Sequence, residues 1–179
     1  MPVRLRITLL FSLLVLIILG VVCSSIYFFS YKSRIKAIEK RLTNRAITTA
    51  RLLSQTGYFD RRMVGKIDSL TTLALTNKSV QAFNKLNQRI YDYSDAPGDT
   101  LSITAEMLED ARAKSSYYFT QQGKEAIAFN YATENAEIVI ICAAKDVDGE
   151  TNLAHLKTIL LLSFIAGITI ALLGGYLFS

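Results

Sequence analysis

The sequence predicts an α+β chain in which one water-soluble domain, an antiparallel sheet with helices, lies between two apolar helices. Three observations predict it. Ile7 to Tyr31 and Thr158 to Ser179 contain no Asp, Glu, Lys or Arg. Short runs of β-branched and aromatic residues recur between them, separated by turn residues and by segments of helical period. All 15 Asp+Glu and 18 of the 20 Lys+Arg fall in residues 32–157.

The charge-free runs set the frame. At 1.5 Å per residue, roughly 20 apolar residues cross a hydrocarbon core of about 30 Å. Both runs meet that length and are rich in Leu, Ile, Val and Phe. A single span in lipid must satisfy its own backbone, which leaves only helix. A cleaved signal peptide would use Arg4 and Arg6 as its basic end. Its apolar region, however, is about 7–15 residues long and ends at small residues, whereas this run exits through Tyr27-Phe28-Phe29-Ser30-Tyr31, an aromatic interface belt. The expected organisation is therefore 1–6 as a cytoplasmic N-terminus, 7–31 as a first span, 32–157 as the soluble domain and 158–179 as a second span.

Charge within the domain is uneven. Residues 32–78 carry 11 basic and 3 acidic residues, and residues 79–157 carry 7 and 12. The basic half borders a span, so attraction to anionic headgroups or solvation of a helix face explains it better than nucleic acid, which is not expected as a partner. Charge leaves the orientation open. Arg4 and Arg6 favour an internal N-terminus, while Lys32, Arg34, Lys36, Lys40, Arg41 and Arg45 favour an internal domain; long domains translocate largely regardless of charge. Cys23 lies in the first span and Cys142 in a predicted strand, so no disulfide is expected and no metal-ligand spacing is present.

From Tyr31 the first helix is expected to continue to Thr56. Ile35, Ile38, Leu42, Ala46, Ala50 and Leu53 recur at three- or four-residue steps, an apolar stripe on a basic helix. Gly57 stops it. Asp60 caps a second helix with Met63, Ile67, Leu70 and Ala74 on its apolar face, ending at Asn77. Val80–Phe83 and Ile90–Tyr93 read as two short strands, and Pro97-Gly98 as a loop. Ser102 or Thr104 caps a helix to Lys114 with Met107, Leu108 and Ala111 inside. Strands follow at 116–120, 125–132 and 137–144, turning at Gln122-Gly123-Lys124 and Thr133-Glu134-Asn135. The run Ile138-Val139-Ile140-Ile141-Cys142 has the composition of a central strand buried on both faces. Asp146-Val147-Asp148-Gly149 reads as a turn before a helix from Thr151 into the second span. This order resembles that of PAS-like extracytoplasmic sensor domains.

Candidate chemistry is sparse. His155 is the one histidine, and with no carboxylate in 152–159 it reads as a solvated helix residue rather than a base or ligand. Asp146, Asp148 and Glu150 miss the spacing of a calcium loop, with Gly149 at position four instead of six. Asp92, Asp95 and Asp99 read as a solvated loop. No metal, cofactor or catalytic residue is expected. Tyr117, Phe119, Phe129 and Tyr131 are the candidates for lining a ligand pocket between sheet and helix, ordinary core packing being the alternative. In the second span Ser163, Gly167, Ala171 and Gly175 follow at four-residue steps, a ridge of small side chains that lets helices approach closely in lipid. Ser12, Gly20 and Ser24 form a weaker version in the first.

The chain resembles the N-terminal input region of bacterial two-component membrane sensor histidine kinases. The likeness is carried by Arg4-Leu5-Arg6-Ile7-Thr8-Leu9-Leu10-Phe11, by Ile90-Tyr91-Asp92, by Ala143-Ala144-Lys145-Asp146, and by Gly174-Gly175-Tyr176-Leu177-Phe178-Ser179, similar to the exit that precedes a HAMP linker. The resemblance implies a multi-pass inner-membrane protein with its N-terminus inside and its sensor domain on the periplasmic side. It also implies a homodimer, an unidentified small-molecule or envelope signal, a cytoplasmic ATP-dependent kinase module, and a response regulator as partner. The phosphoacceptor His and the nucleotide-binding motifs have no counterpart here, and His155 lies on the wrong side of the second span. A sensor fragment, a truncated form or a stand-alone receptor is the expectation. The rivals are the input half of a chemoreceptor or cyclase, and a membrane-tethered structural or assembly protein.

Overall fold

The computed structural model describes residues 3–54, 75–96, 101–133 and 136–178. It contains helix α1 (Val3–Ser54), strands β1 (Thr76–Phe83) and β2 (Arg89–Ser94), helix α2 (Ala105–Lys114), strands β3 (Ser116–Gln121), β4 (Lys124–Thr133) and β5 (Ala136–Lys145), and helix α3 (Val147–Phe178). The expected α+β class holds. Met1–Arg34 together with Gly149–Ser179 forms one compact unit, and Ile35–Asp148 forms the other.

The Ile35–Asp148 unit is built on a five-stranded sheet in the order β2-β1-β5-β4-β3. Every neighbouring pair is antiparallel. The apolar run of β5 takes a central place, as its composition demands. Ile138, Ile140, Cys142 and Ala144 face one layer with Ile38, Leu42, Ala46, Ala50 and Leu53 of α1. Val139, Ile141 and Ala143 face the other with Leu108 and Ala111 of α2. Strand alternation and a four-residue helical step thus give two apolar layers, one on each face of the sheet. Ala46 and Ala50 are fully buried, and their lack of bulk lets α1 lie close to the strands.

Local chemistry explains the boundaries. Thr104, extended at ψ 156°, caps α2 by accepting the Met107 amide at 3.3 Å. The β3–β4 hairpin turns through Gln122 and Gly123 at φ +53° and +72°, the paired positive values a tight two-residue turn requires. In the β1–β2 turn Asn84 Oδ1 accepts from the amides of Leu86 and Gln88 at 3.0 and 2.9 Å, and Asn87 takes the left-handed φ of +59°.

Three boundaries differ from expectation. Asn77 does not end a helix: β1 begins at Thr76, and Asn77 sits at φ +52° in a register irregularity between Thr76 and Ser79, a conformation Asn tolerates. Lys124 is the first residue of β4 rather than a turn residue. The segment 147–149 is the first turn of α3 rather than a loop, with Asp146 in the preceding position that favours an acidic cap. The helix expected from Asp60 with its face of Met63, Ile67, Leu70 and Ala74, together with Gly57, Pro97-Gly98, Asp99 and Glu134-Asn135, lies outside the described residues.

In the other unit, α1 and α3 each contain a stretch long and apolar enough to cross a membrane. Leu10 and Ile170 are 68% and 70% exposed, which distinguishes these helices from the core helices of a soluble protein. They pack antiparallel: Leu19 lies against Gly167, Gly20 against Phe164, and the Cys23 thiol points to the Leu160 carbonyl at 3.9 Å, so partner numbers fall as α1 rises. Beyond them Arg34 pairs with Glu150 at 3.6 Å.

Candidate functional site

Polar groups inside the Ile35–Asp148 unit are the place to look for chemistry, because burying them is costly unless they are partnered. Ser79 and Gln81 of β1 are 1% and 2% exposed, and Lys124 of β4 is 4% exposed. Ser79 pairs with Ala143 and Gln81 with Ile141, which puts both on the α2 face of the sheet. Lys124 stands two residues before Ala126, another member of that face.

Lys124 Nζ donates to Ser79 Oγ at 3.1 Å. To do so its stem crosses β5, where Ala143 presents only a methyl group. Ser79 Oγ lies 3.4 Å from Ser94 Oγ, and Ser94 Oγ donates to the Ala96 carbonyl at 3.0 Å. A chain of hydrogen bonds therefore runs from the buried ammonium to the end of β2. Ammonium and hydroxyls arranged in this way can hold an anion or a carbonyl in place.

The four aromatic candidates do not line one cavity. Tyr117 and Phe119 stack at 5.6 Å with a 17° interplanar angle on the α2 face, the face that carries Lys124. Phe129 and Tyr131 pack on the α1 face. The register decides this: Tyr117 pairs with Ala128 and Phe119 with Ala126, so both share a face with alanines that alternate along β4 with Ile127 and Phe129. Lys124 was not among the sequence candidates, because beside Gly123 it has the appearance of a turn residue. Its signal was the spacing Lys124, Ala126, Ala128, the period-two stripe of one strand face.

Of the small-residue ridge, Gly167 lies under Leu19 and Ala171 is 8% exposed, while Gly175 is partly buried and Ser163 exposed. A Cβ on Gly167 would come within 2.6 Å of Leu19 Cδ1. The ridge therefore serves, at its middle, a contact between the two apolar helices of the same chain.

Two of the acidic candidates, Asp92 and Asp95, are engaged within the domain. Asp92 pairs with Arg89 at 2.8 Å, and Asp95 accepts from Tyr93 Oη at 2.7 Å and from the Lys78 amide at 3.1 Å. His155 is exposed on α3. Among the described residues no three His, Cys, Asp or Glu are grouped to hold a metal ion. Set against known proteins, the chain matches no protein family, no curated protein and no solved structure.

Proposed function

We propose that this chain is the sensory input portion of a membrane two-component sensor histidine kinase. In this reading a PAS-like domain outside the inner membrane detects a small-molecule or envelope signal, and the second span passes it on. The observation that carries the proposal is helix continuity. α1 runs without interruption from a largely exposed apolar stretch to a stripe buried against the sheet, and a single residue, Asp146, separates the strand end at Lys145 from the start of α3. A ligand shifts a conformational equilibrium only through differential contacts with its states. Helices shared between a binding domain and the membrane are the means by which such a shift would travel. The central strand flanked by helical layers supports the PAS-like assignment, and the Lys124–Ser79–Ser94 chain beside Tyr117 and Phe119 is the site we assign to the signal. A homodimer completes the reading, since two copies give a kinase output something to rearrange.

The orientation is tested by a single cysteine at Lys85, whose side chain is 81% exposed, in a chain with Cys23 and Cys142 changed to Ser. A membrane-impermeant maleimide should label it in cells with a permeabilised outer envelope and an intact inner membrane. Labelling only after lysis of the inner membrane would place the domain inside and sink the sensor orientation.

A further inference from the structure

Near the end of its apolar stretch α1 turns hydroxyls and aromatics towards α3, and the two helices leave an open groove of about 740 Å³. Cys23, Ser24, Ser25, Tyr27, Phe28, Lys157 and Leu160 line it. That volume lies within the range of ligand sites generally. No Asp or Glu lines it among the described residues, and the acid nearest in sequence to Lys157, Glu150, pairs with Arg34.

The placement of charge along the groove is what defines its occupant. Lys157 is the last charged residue before the second charge-free run, and Lys32 is the first after the other. Lys32, one turn beyond Phe28 on α1, places its Nζ 4.6 Å over the ring of Phe28, which itself lines the groove. From Lys32 to Cys23 the helix descends about 13 Å. In a bilayer, one end of the groove would meet the headgroup phosphates and the remainder would lie beside the acyl chains. Two ammoniums above, an apolar and aromatic trough below, and small hydroxyls on one wall match one ligand class.

We propose that this groove is a binding site for an anionic phospholipid, the phosphate between Lys32 and Lys157 and one acyl chain along Phe28, Leu160 and Cys23. The inference rests on the reading that α1 and α3 cross a membrane. Occupancy would brace the helix pair next to the Leu19–Gly167 contact and make the stability of that pair depend on lipid composition.

The test uses the full chain in detergent with equal amounts of phosphatidylglycerol and phosphatidylcholine, and counts retained lipids by native mass spectrometry. Phosphatidylglycerol should be retained over phosphatidylcholine. Lys157→Gln should weaken that retention about fivefold, the worth of one basic residue at a charged membrane surface. Leu160→Trp, which fills the trough and keeps both ammoniums, should abolish retention, and Lys85→Gln on the sheet domain should change nothing. Equal retention of the two lipids overturns the proposal, as does an equal loss in Lys157→Gln and Lys85→Gln. Glycerol phosphate competing as well as the intact lipid also overturns it, because the groove would then be a phosphate site without a chain. Alkaline carbonate extraction of cell membranes separates the two levels. A chain that washes off defeats the membrane reading itself, whereas one that stays but shows no lipid preference defeats only the groove.

Discussion

An ammonium moved out of water must find acceptors for its hydrogens, and in Lys124 one of these is the hydroxyl of Ser79. Ser79→Ala removes that acceptor and the link to Ser94. The expected cost is ~1.5–3 kcal/mol, the range for losing one hydrogen bond to a charged group, read as a lower denaturant midpoint in the full chain in micelles. Arg112 has a different role. Its guanidinium donates to the Asn84 carbonyl at 3.1 Å and to Asn87 Oδ1 at 2.7 Å, tying the β1–β2 turn to α2, with Glu137 3.6 Å from Nε. Arg112→Ala should cost ~1–3 kcal/mol by the same measurement. Lys85 reaches the same Glu137 at 3.9 Å from an exposed position, so Lys85→Ala should fall within about 0.5 kcal/mol of the parent. The apolar members of the core were legible in the sequence because periodicity marks them: Leu108, Ala111 and the α1 stripe from Ile38 to Leu53 are buried as expected, while Ile35 and Met107, expected with them, are half-buried. Lys124 was not, because a lysine beside a glycine has the composition of a turn. Only the strand register reveals that its stem lies over Ala143.

Register also separates what an element reveals from what it conceals. Tyr117, Phe119, Phe129 and Tyr131 each obey the alternation of a strand, which states that successive residues face opposite ways but not which residues of two strands share a side. The pairing of Tyr117 with Ala128 settles that and divides the aromatics between the two faces. A comparable limit applies to the ridge of α3. Steps of four residues advance about 40° around a helix of 3.6 residues per turn, so four such positions cannot all face one neighbour. Gly167 and Ala171 meet the contact and Ser163 has rotated out of it. Gly167→Leu should therefore force α1 and α3 apart, at about 1–3 kcal/mol for overpacking. Disulfide trapping between cysteines placed at Gly20 and Phe164 should slow markedly. Adding Leu19→Ala should restore the trapping rate, because the atom a side chain would strike belongs to Leu19. Unchanged trapping in Gly167→Leu would mean that this contact does not hold the helices together.

At the scale of the whole molecule, α1 supplies residues both to the apolar unit and to the core of the sheet domain, since it is one helix from Val3 to Ser54. A passive tether and a transmitting helix make different demands on such an element. A tether needs only length, whereas a transmitter needs phase, because each residue rotates the C-terminal remainder of the helix by about 100° and shifts it 1.5 Å along the axis. Inserting alanines between Ser33 and Arg34 separates the two without breaking the helix, Ala being its best former. If the proposed sensory role holds, then in a fusion of residues 1–179 to the cytoplasmic part of a sensor kinase one inserted alanine should lock autophosphorylation in one state and remove its response to a ligand of the sheet domain. Four alanines return the helix to within about 40° of its starting phase and should recover much of the response. The domain's own unfolding should stay close to the parent's in both, because the inserted residues precede the buried part of the stripe, which begins at Ile38. Output that ignores insertion length, with the domain folded, would reduce α1 to an anchor and leave α3 as the only route by which a signal in the sheet domain could reach the membrane.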